Sequence, residues 1–278
     1  MINFNGTILA DEANILTTNR GFLYGDAVFE TVKVVRGSIL FLEDHYFRLM
    51  ASMRVVRMEI PMNFTMEYFE EQLLMVATAD GCSASARVRI TVCRNDGGYY
   101  LPTTNEVSFL IHASALDQQL YSLPTADYEV DLFKDFYITK QLLSSIKTTN
   151  RMLNTTASIY AHENGLDNCL LLNDSKNVVE AIQGNIFMRI GNKLITPPVA
   201  EGCLNGVMRK QIIAIAKKTA IIEFVEEVIS PFDLQKADEL FITNVIKGIQ
   251  PITKYRKKNF NTETAELLIE KLNDQINS

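Results

Sequence analysis

The sequence is poor in the residues that build metal sites and disulfide scaffolds. Its 278 residues contain no tryptophan, three histidines and four cysteines, and the cysteines lie far apart at Cys82, Cys93, Cys169 and Cys203. No cysteine pair has the short spacing of a zinc or redox motif. We therefore expect reduced, mostly buried thiols and no bound metal.

Charge and hydropathy exclude further classes of protein. The formal net charge is −6, so a nucleic acid is not an expected partner. No apolar run approaches the roughly 18 residues that would cross a bilayer. The first six residues, Met1 to Gly6, lack the basic and apolar regions of a signal peptide. We expect a cytoplasmic protein with no membrane partner.

The first 116 residues have the pattern of a small α/β domain, because strand-like alternation and helical spacing follow each other closely. The predicted elements are a tight hairpin at Asn5-Gly6, a strand over 29–35, a helix over 42–58, a helix over 65–78 capped by Thr65, and strands over 87–94 and 107–113.

A polar stretch around Pro124 predicts a linker over 117–126, and a second domain over 127–278 follows it. The elements predicted there are a helix capped by Thr149 or Asn150 and ending near 163, strands over 169–172, 178–181 and 185–190, a helix over 207–219, strands over 221–228 and 239–243, and a helix over 262–276.

Lys147 is the leading candidate for a catalytic residue. It follows the apolar Ile146 and comes shortly before a predicted helix. A lysine amine reacts with a carbonyl compound when it is deprotonated, and partial burial near other cations favours that form. The alternative is a solvated surface lysine, which is the usual state of this residue type.

The turn from Glu201 to Gly206 is a candidate anion site. It leads into a predicted helix whose first N–H groups, at Val207 and Met208, would attract a phosphate. Arg48 could add a bidentate contact to such an anion. The competing interpretations are an ordinary helix cap at the turn and a solvated arginine.

Glu180 places an acidic group in a mostly apolar predicted strand. A carboxylate there could keep a pyridine nitrogen protonated, which an aldehyde cofactor of the pyridoxal type requires. The competing interpretation is a charge on an edge strand that faces water.

Five segments, in order, resemble the fold-type IV, class IV aminotransferase superfamily of pyridoxal-phosphate enzymes: Arg20 to Thr31, His45 to Leu49, Ile146-Lys147, Glu180 with Asn185 to Phe187, and Gly206 to Arg209. The resemblance covers nearly the whole chain. It implies a mixed α/β (α+β) fold with a small N-terminal α/β domain and a larger C-terminal domain with a barrel-like sheet. It also implies pyridoxal 5'-phosphate as cofactor, a small amino substrate, and a homodimer whose partner helps to complete each active site.

The resemblance also assigns roles to individual residues. Lys147 corresponds to the lysine that forms the Schiff base and shuttles protons. The expected cofactor contacts are Arg48, Val207 and Met208 on the phosphate, Glu180 on the pyridine nitrogen, and Asn244 in a stretch that contacts both phosphate and substrate. The expected substrate contacts are Tyr24, which would line the pocket, and Arg89 or Arg94, which would hold a carboxylate.

Within the superfamily, several segments resemble 4-amino-4-deoxychorismate lyases: Ile146-Lys147 with Asn150-Arg151, Asn205 to Lys210, Ile242 to Asn244 with Pro251, and Arg94 to Tyr99. Branched-chain aminotransferases have small residues and a threonine where this chain has Asn244-Val245-Ile246. They also have Gly-Ile-Thr-Arg where this chain has Gly-Val-Met-Arg, so one phosphate-binding hydroxyl is missing. D-amino-acid aminotransferases usually carry a basic carboxylate trap at the position of Tyr99-Tyr100.

These resemblances predict a lyase that converts 4-amino-4-deoxychorismate to 4-aminobenzoate and pyruvate in folate biosynthesis. The alternative is a class IV aminotransferase that uses branched-chain or other L-amino acids with 2-oxoglutarate, and a D-amino-acid substrate is less expected. An inactive protein that keeps the fold as a binding module is a third possibility.

Overall fold

The chain forms two compact units in the computed structural model, which describes residues 2–9, 18–219 and 222–277. The first unit contains residues 1–120 together with 146–150, and the second contains 121–145 together with 151–278. The division near residue 120 falls within the predicted linker. The short segment around Lys147 groups with the first unit.

The first unit is a six-stranded sheet with helices. Its strands are β1 Ile2–Phe4, β2 Thr7–Leu9, β3 Ala27–Val35, β4 Ser38–Ile39, β5 Ser85–Arg94 and β6 Val107–Ala115. Its helices are α1 Arg20–Tyr24, α2 Leu42–Val55 and α3 Met66–Ala79. The strand order is β2-β1-β6-β5-β3-β4, and every neighbouring pair is antiparallel.

The apolar core of this unit lies on one face of the sheet. Alternate residues of a strand point to the same face, so Val32 of β3 and Val88 of β5 are both fully buried there. They belong to one cluster with Met53 of α2 and with Phe69 and Leu73 of α3. The opposite face of the same strands carries mainly polar and charged side chains.

The second unit contains a ten-stranded sheet. Its strands are β7 Glu129–Ile138, β8 Asn168–Asn173, β9 Val178–Ala181, β10 Gly184–Ile190, β11 Lys193–Thr196, β12 Glu223–Glu226, β13 Glu239–Asn244, β14 Gly248–Ile252, β15 Lys254–Tyr255 and β16 Lys258–Asn259. Its helices are α4 Met152–Glu163, α5 Val207–Lys218 and α6 Glu263–Asn277. The order is β12-β11-β10-β9-β8-β7-β15-β16, while β13 pairs with β10 and β14.

Two local predictions are confirmed in detail. Asn5 and Gly6 have φ values of 50° and 86°, and positive φ at both central residues is the requirement of the tight hairpin turn that joins β1 to β2. Thr65 caps α3, because its Oγ1 accepts a hydrogen bond of 3.2 Å from the N–H of Tyr68.

The helix predicted over 42–58, which is α2, ends three residues earlier than predicted. The helix stops at Val55 instead of Met58, because Arg57 adopts a left-handed conformation with φ 58°. The N–H of Met58 then donates to the carbonyl of Met53 at 2.9 Å. This contact terminates a helix in the manner of a Schellman motif.

The predicted cap of α4 is also wrong, since Arg151 and not Thr149 or Asn150 occupies that position. Both side chains have other partners. The Thr149 hydroxyl donates to the carbonyl of Gly25 at 3.1 Å, and the Asn150 amide donates to the same carbonyl at 3.0 Å. These bonds tie the segment 146–150 to the first unit and orient both side chains towards Gly25.

The other predicted helices and strands are present, with ends shifted by a few residues. The strand predicted over 221–228 is shorter, from Glu223 to Glu226, and residue 221 lies outside the described part of the chain. Helix α1 and strands β4, β7, β11, β14, β15 and β16 were not predicted. All four cysteines are buried and unbridged, as predicted. No helix among the described residues is both long and apolar enough to cross a membrane.

Replacing Leu73 by alanine should destabilise the first unit by about 2–5 kcal/mol, because it leaves a cavity in a closely packed core. Leu73 is fully buried, whereas Leu142 is 64% exposed, so Leu142→Ala is a matched control with an expected change within about 0.5 kcal/mol. Urea denaturation followed by circular dichroism measures both. Equal costs for the two variants would contradict this account of the core.

Candidate active site

Backbone hydrogen bonds fix the position of Lys147 in the first unit. The N–H of Phe29 donates to the carbonyl of Lys147 at 2.8 Å, and the N–H of Thr149 donates to the carbonyl of Ala27 at 3.0 Å. Thr148 forms an antiparallel bridge with Val28 between them. The segment therefore pairs with the start of β3 on the side opposite β5, where β4 pairs with the end of the same strand.

The Phe29 ring has two cations beside it. The Lys147 Nζ lies 4.5 Å from the ring centroid, and the Arg89 Cζ lies 3.9 Å from it. Such contacts attract a cation to the ring face. Lys147 is half-buried. The interpretation of a fully solvated lysine is therefore wrong.

Glu30 lies at the centre of a buried cluster with Arg48 and His45. The Arg48 Nε and Nη2 atoms donate to the two carboxylate oxygens of Glu30, each at 2.7 Å. The His45 Nδ1 lies 2.8 Å from the Glu30 Oε2. His45 and Glu30 are almost fully buried. Arg48 is thus held in one orientation by a bidentate pair.

The pKa shifts of this cluster follow from burial and charge. Burial alone would raise the pKa of Glu30, but Arg48 and the hydrogen bond from His45 outweigh it and lower the pKa to about 2. Burial lowers the pKa of His45 in spite of Glu30, so the imidazole is neutral near pH 7 and donates through Nδ1. Its Nε2 is buried without a partner among the described residues.

Tyr24 and Arg94, both expected near the substrate, occupy different surroundings in the first unit. Tyr24 ends α1 and is 37% exposed. The Arg94 side chain is buried, and its nitrogens donate to Asp26, Asn105 and the carbonyls of Val56 and Arg57. Every guanidinium nitrogen of Arg94 is therefore used within the fold.

In the second unit, three polar residues stand side by side on adjacent strands. The register pairs Glu180 of β9 with Asn185 of β10, and Asn185 with Thr243 of β13. Directly paired residues share one face of a sheet. All three are buried, and β9 lies between β8 and β10. The interpretation of Glu180 as a water-facing edge charge is therefore wrong.

Two hydrogen bonds connect the loop before α5 to the row formed by Glu180, Asn185 and Thr243. The N–H of Leu204 donates to the Glu180 Oε2 at 2.9 Å, and the Asn185 Nδ2 donates to the carbonyl of Leu204 at 2.8 Å. A Cβ at Gly206 would lie 2.0 Å from the Asn185 Oδ1, so only glycine allows this approach. Gly206 is also the N-cap of α5 and provides no side-chain cap.

The start of α5 is suited to an anion. The N–H groups of its first turn, at Val207 and Met208, have no acceptor within the helix, and the helix dipole makes this end positive. Thr243 is 1% exposed, and its Oγ1 has no hydrogen-bond partner among the described residues. A buried hydroxyl without a partner indicates a missing ligand.

Asn244, the last residue of β13, closes the turn into β14. Its Oδ1 accepts hydrogen bonds from the N–H groups of Ile246 at 3.1 Å and Lys247 at 2.9 Å. The side chain thus stabilises an Asx turn. The backbone N–H groups of this turn are satisfied by the turn itself.

An amine, a buried carboxylate and an anion cradle are the groups that a pyridoxal-phosphate enzyme requires. The family model described as "Amino-transferase class IV" matches residues 27–255. The chain therefore belongs to this family of enzymes. Its members depend on pyridoxal 5'-phosphate. The unpartnered Thr243 hydroxyl and the uncapped start of α5 fit the phosphate of that cofactor.

The chain is similar to proteins with different reactions. It is 28% identical to a putative branched-chain-amino-acid aminotransferase of Methanocaldococcus jannaschii, over 99% of this chain and 94% of that protein. It is 25% identical to the aminodeoxychorismate lyase of Bacillus subtilis, over 96% and 90%. The branched-chain aminotransferase of Thermoproteus uzoniensis, solved with norvaline, superposes with a TM-score of 0.86 at 22% identity, over 97% and 92%. The predicted fold-type IV class is confirmed.

Two features of the site were not predicted from the sequence. The role of Phe29 as the ring beside Lys147 depends on the pairing of distant segments. Glu30 and His45 lie in the recognised motifs, but neither was assigned a role. Strand alternation offered one signal, because an acidic residue on the apolar face of β3 needs a buried partner.

Glu30→Gln should destabilise the protein by about 3–5 kcal/mol at pH 7, because it leaves Arg48 without its buried partner. The folded pKa of Glu30 is lowered to about 2 from the ordinary value of 4.5. Its stabilising contribution is therefore complete above pH 4.5 and lost as the pH falls towards 2.

Urea denaturation of wild type and variant between pH 7 and about pH 3 measures this difference. The gap in the free energy of unfolding should shrink on acidification. Glu106→Gln, at an exposed position, is the control and should change stability by less than about 0.5 kcal/mol. A gap that does not depend on pH would contradict the assigned pairing.

Proposed function

We propose that this enzyme is a lyase that converts 4-amino-4-deoxychorismate to 4-aminobenzoate and pyruvate, a step of folate biosynthesis. The observation that carries the proposal is the turn after β13. The Asn244 side chain binds the N–H groups of Ile246 and Lys247, so this turn differs in chemistry from the small residues and threonine that branched-chain aminotransferases have there.

We assign the cofactor contacts to the residues with matching chemistry. Lys147 would hold the aldehyde covalently, and Glu180 would keep the pyridine nitrogen protonated. The start of α5, the Thr243 hydroxyl and Arg48 would bind the phosphate. The bound cofactor supplies an electron sink for the carbon that bears the substrate amine.

Lys147 would then act as the general base. Its amine is released next to the proton that it must remove, so proximity favours the transfer. Removal of that proton, followed by loss of the enolpyruvyl group as pyruvate, would leave the aromatic ring of 4-aminobenzoate. The Arg89 Cζ lies 3.9 Å from the centroid of the Phe29 ring that Lys147 also contacts.

For the substrate carboxylate, the geometry favours Arg89 over Arg94. Arg89 shares the Phe29 ring with Lys147 and its Nε donates to the Thr91 Oγ1 at 3.2 Å, whereas every guanidinium nitrogen of Arg94 donates to a group within the fold. Tyr24, partly exposed at the end of α1, remains the proposed pocket residue.

A second candidate is an aminotransferase that acts on branched-chain or other L-amino acids with 2-oxoglutarate. The relative from Methanocaldococcus jannaschii favours it. An arginine beside the catalytic lysine also suits the distal carboxylate of 2-oxoglutarate. Both reactions would use Lys147, Glu180 and the phosphate contacts in the same way, and they differ only after proton removal.

Two assays on the purified, cofactor-loaded protein separate these reactions. Aminodeoxychorismate without any amino acceptor should yield pyruvate and 4-aminobenzoate in equal amounts. An L-amino acid with 2-oxoglutarate should yield little glutamate. The reverse result would replace the lyase by the aminotransferase, and the absence of both products would refute both functions.

Lys147→Ala should lower either activity by at least about 100-fold, since it removes the general base. It should also abolish the absorbance band that borohydride reduction removes in the wild type. Lys257→Ala is the matched control, because Lys257 is exposed. Wild-type turnover by Lys147→Ala would exclude the assigned role.

We also propose that the protein is a homodimer. An aromatic patch in the first unit exposes apolar side chains to solvent: Phe22, Leu23, Tyr99, Tyr100 and Leu101, with exposures from 51% to 93%. Arg20 fixes the patch, because its Nη1 donates to the carbonyls of Gly97 and Tyr99. A fixed apolar patch of this kind is typical of an interaction surface.

A variant with Tyr100→Asp and Leu101→Asp should shift the protein from dimer to monomer, because two charges would be buried in the contact. Size-exclusion chromatography with light scattering measures the mass. Met62→Asp, at a fully exposed site outside the patch, should stay dimeric. A wild-type protein that is monomeric at all concentrations would refute the dimer.

A further inference from the structure

Glu201, the first residue of the loop before α5, accepts hydrogen bonds from three side chains of the second unit. Its Oε2 accepts from the Asn173 Nδ2 at 2.7 Å and from the Asn177 Nδ2 at 3.2 Å. The Lys140 Nζ lies 3.2 Å from its Oε1 and 3.1 Å from its Oε2. These donors come from the end of β8, the turn between β8 and β9, and the segment after β7. One carboxylate therefore joins the loop to three other parts of the chain.

Asn173 is the fixed anchor of this cluster. Its side chain is fully buried, and its Nδ2 also donates to the backbone carbonyl of Glu201 at 3.1 Å. Its Oδ1 accepts the N–H groups of Ser175 at 3.1 Å and Asn177 at 2.9 Å. Both ends of the Asn173 amide are thus used. This side chain restrains the main chain and the side chain of Glu201 together.

The charge of Glu201 depends on the same partners. Burial alone would raise the pKa of this carboxyl, but the hydrogen bonds from Asn177, Asn173 and Lys140 and the charge of Lys140 outweigh burial and lower the pKa. Glu201 is therefore ionised at pH 7. A partly exposed ion pair with a lysine adds little to stability, so its main effect is to limit the positions that Glu201 can adopt.

The loop 201–206 also packs against the segment after β7. Gly202 has a φ of 101°, which favours glycine, and a Cβ there would lie 3.2 Å from the carbonyl oxygen of Thr139. Near the other end of the loop, the N–H of Asn205 donates to the carbonyl of Ser145 at 3.3 Å. Since the loop leads directly into α5, contacts that fix it also fix the first turn of that helix.

We propose that Glu201 is a positioning residue, which holds the loop 201–206 so that the first N–H groups of α5 are oriented for the phosphate of the cofactor. Lys140, Asn173 and Asn177 act through Glu201. This inference rests on the proposed phosphate contact at the start of α5, and it adds the residues that orient this contact.

Electrostatics alone predicts the opposite effect of Glu201. A carboxylate in the loop before an anion site repels a phosphate, so neutralising it would strengthen phosphate binding if only charge mattered. If Glu201 orients the loop, the same change weakens phosphate binding, because the N–H donors are no longer held in place. The sign of the change therefore separates positioning from charge.

Titration of the full-length apoprotein with pyridoxal 5'-phosphate and with pyridoxal, which lacks the phosphate, measures this contact by absorbance. Glu201→Gln should weaken binding of pyridoxal 5'-phosphate by at least about tenfold and leave pyridoxal binding within about twofold. Glu227→Gln, at an exposed position, is the matched control and should change neither. Tighter binding of pyridoxal 5'-phosphate, no change, or an equal loss for both ligands would overturn the proposal.

A second set of variants tests whether Lys140 acts through Glu201. Lys140→Met should weaken binding of pyridoxal 5'-phosphate selectively, and it should add no further loss to Glu201→Gln. Lys134→Met, at an exposed position on β7, is its control. Additive losses would overturn the role of Lys140 in the cluster. If Glu201→Gln does not fold, Asn177→Ala should show the same selective loss more weakly, and unchanged binding in that variant would overturn the proposal.

The titrations do not depend on turnover, so this inference and the proposed function can fail separately. A wild type that binds both ligands equally would refute the phosphate contact and this inference together. A wild type that prefers pyridoxal 5'-phosphate, with the same preference in Glu201→Gln, would keep the phosphate contact and lose this inference. A selective loss in Glu201→Gln without pyruvate release from aminodeoxychorismate would keep this inference and lose the lyase.

Discussion

The pairing of residues 146–150 with the edge of β3 is the interaction on which the reactive side of the first unit depends. Two backbone hydrogen bonds place Lys147 beside Phe29, and the period of two in the strand then separates functions. Phe29 faces the basic side with Lys147 and Arg89, while its neighbour Glu30 faces the core and holds Arg48. One strand thus positions groups on both of its faces.

Two buried carboxylates are stabilised in different ways. Glu30 is compensated by a guanidinium and an imidazole, so its charge is neutralised within the cluster. Glu180 accepts the N–H of Leu204 on the row that also contains Asn185 and Thr243. A buried charge is tolerated when such partners are present. The first carboxylate therefore serves to orient an arginine, whereas the second suits the protonated nitrogen of a cofactor ring.

Much of the fold could be predicted from local sequence, because its signals are local. Asn5-Gly6, the cap at Thr65 and the alternation in β3 each act over a few residues. The predictions that were wrong concern competition from distant partners. Thr149 and Asn150 are good capping residues, but both side chains are oriented towards the carbonyl of Gly25, to which they donate, and no local pattern reveals that.

In the candidate site, too, local signals could be predicted from the sequence, whereas contacts between distant residues could not. Motifs predicted roles for Lys147, Glu180 and the start of α5, because each lies in a recognisable local sequence pattern. The row of Glu180, Asn185 and Thr243 depends on strand register across three strands, which the sequence alone does not determine. The basic face of the first sheet could not be predicted from the sequence either, because Lys33 and Arg87 lie 54 positions apart and become neighbours only when β3 pairs with β5.

The first unit is built from two separate parts of the chain, residues 1–120 and 146–150. Residues 1–120 supply its whole six-stranded sheet, but the candidate amine of Lys147 comes from a five-residue segment, 146–150, that follows later in the chain. A chain that ends at residue 120 would therefore leave the start of β3, around Val28, unpaired on the side opposite β5, while β4 still pairs with its end. Expression of residues 1–120 alone would need the peptide 146–150, either added as a separate peptide or fused after β6.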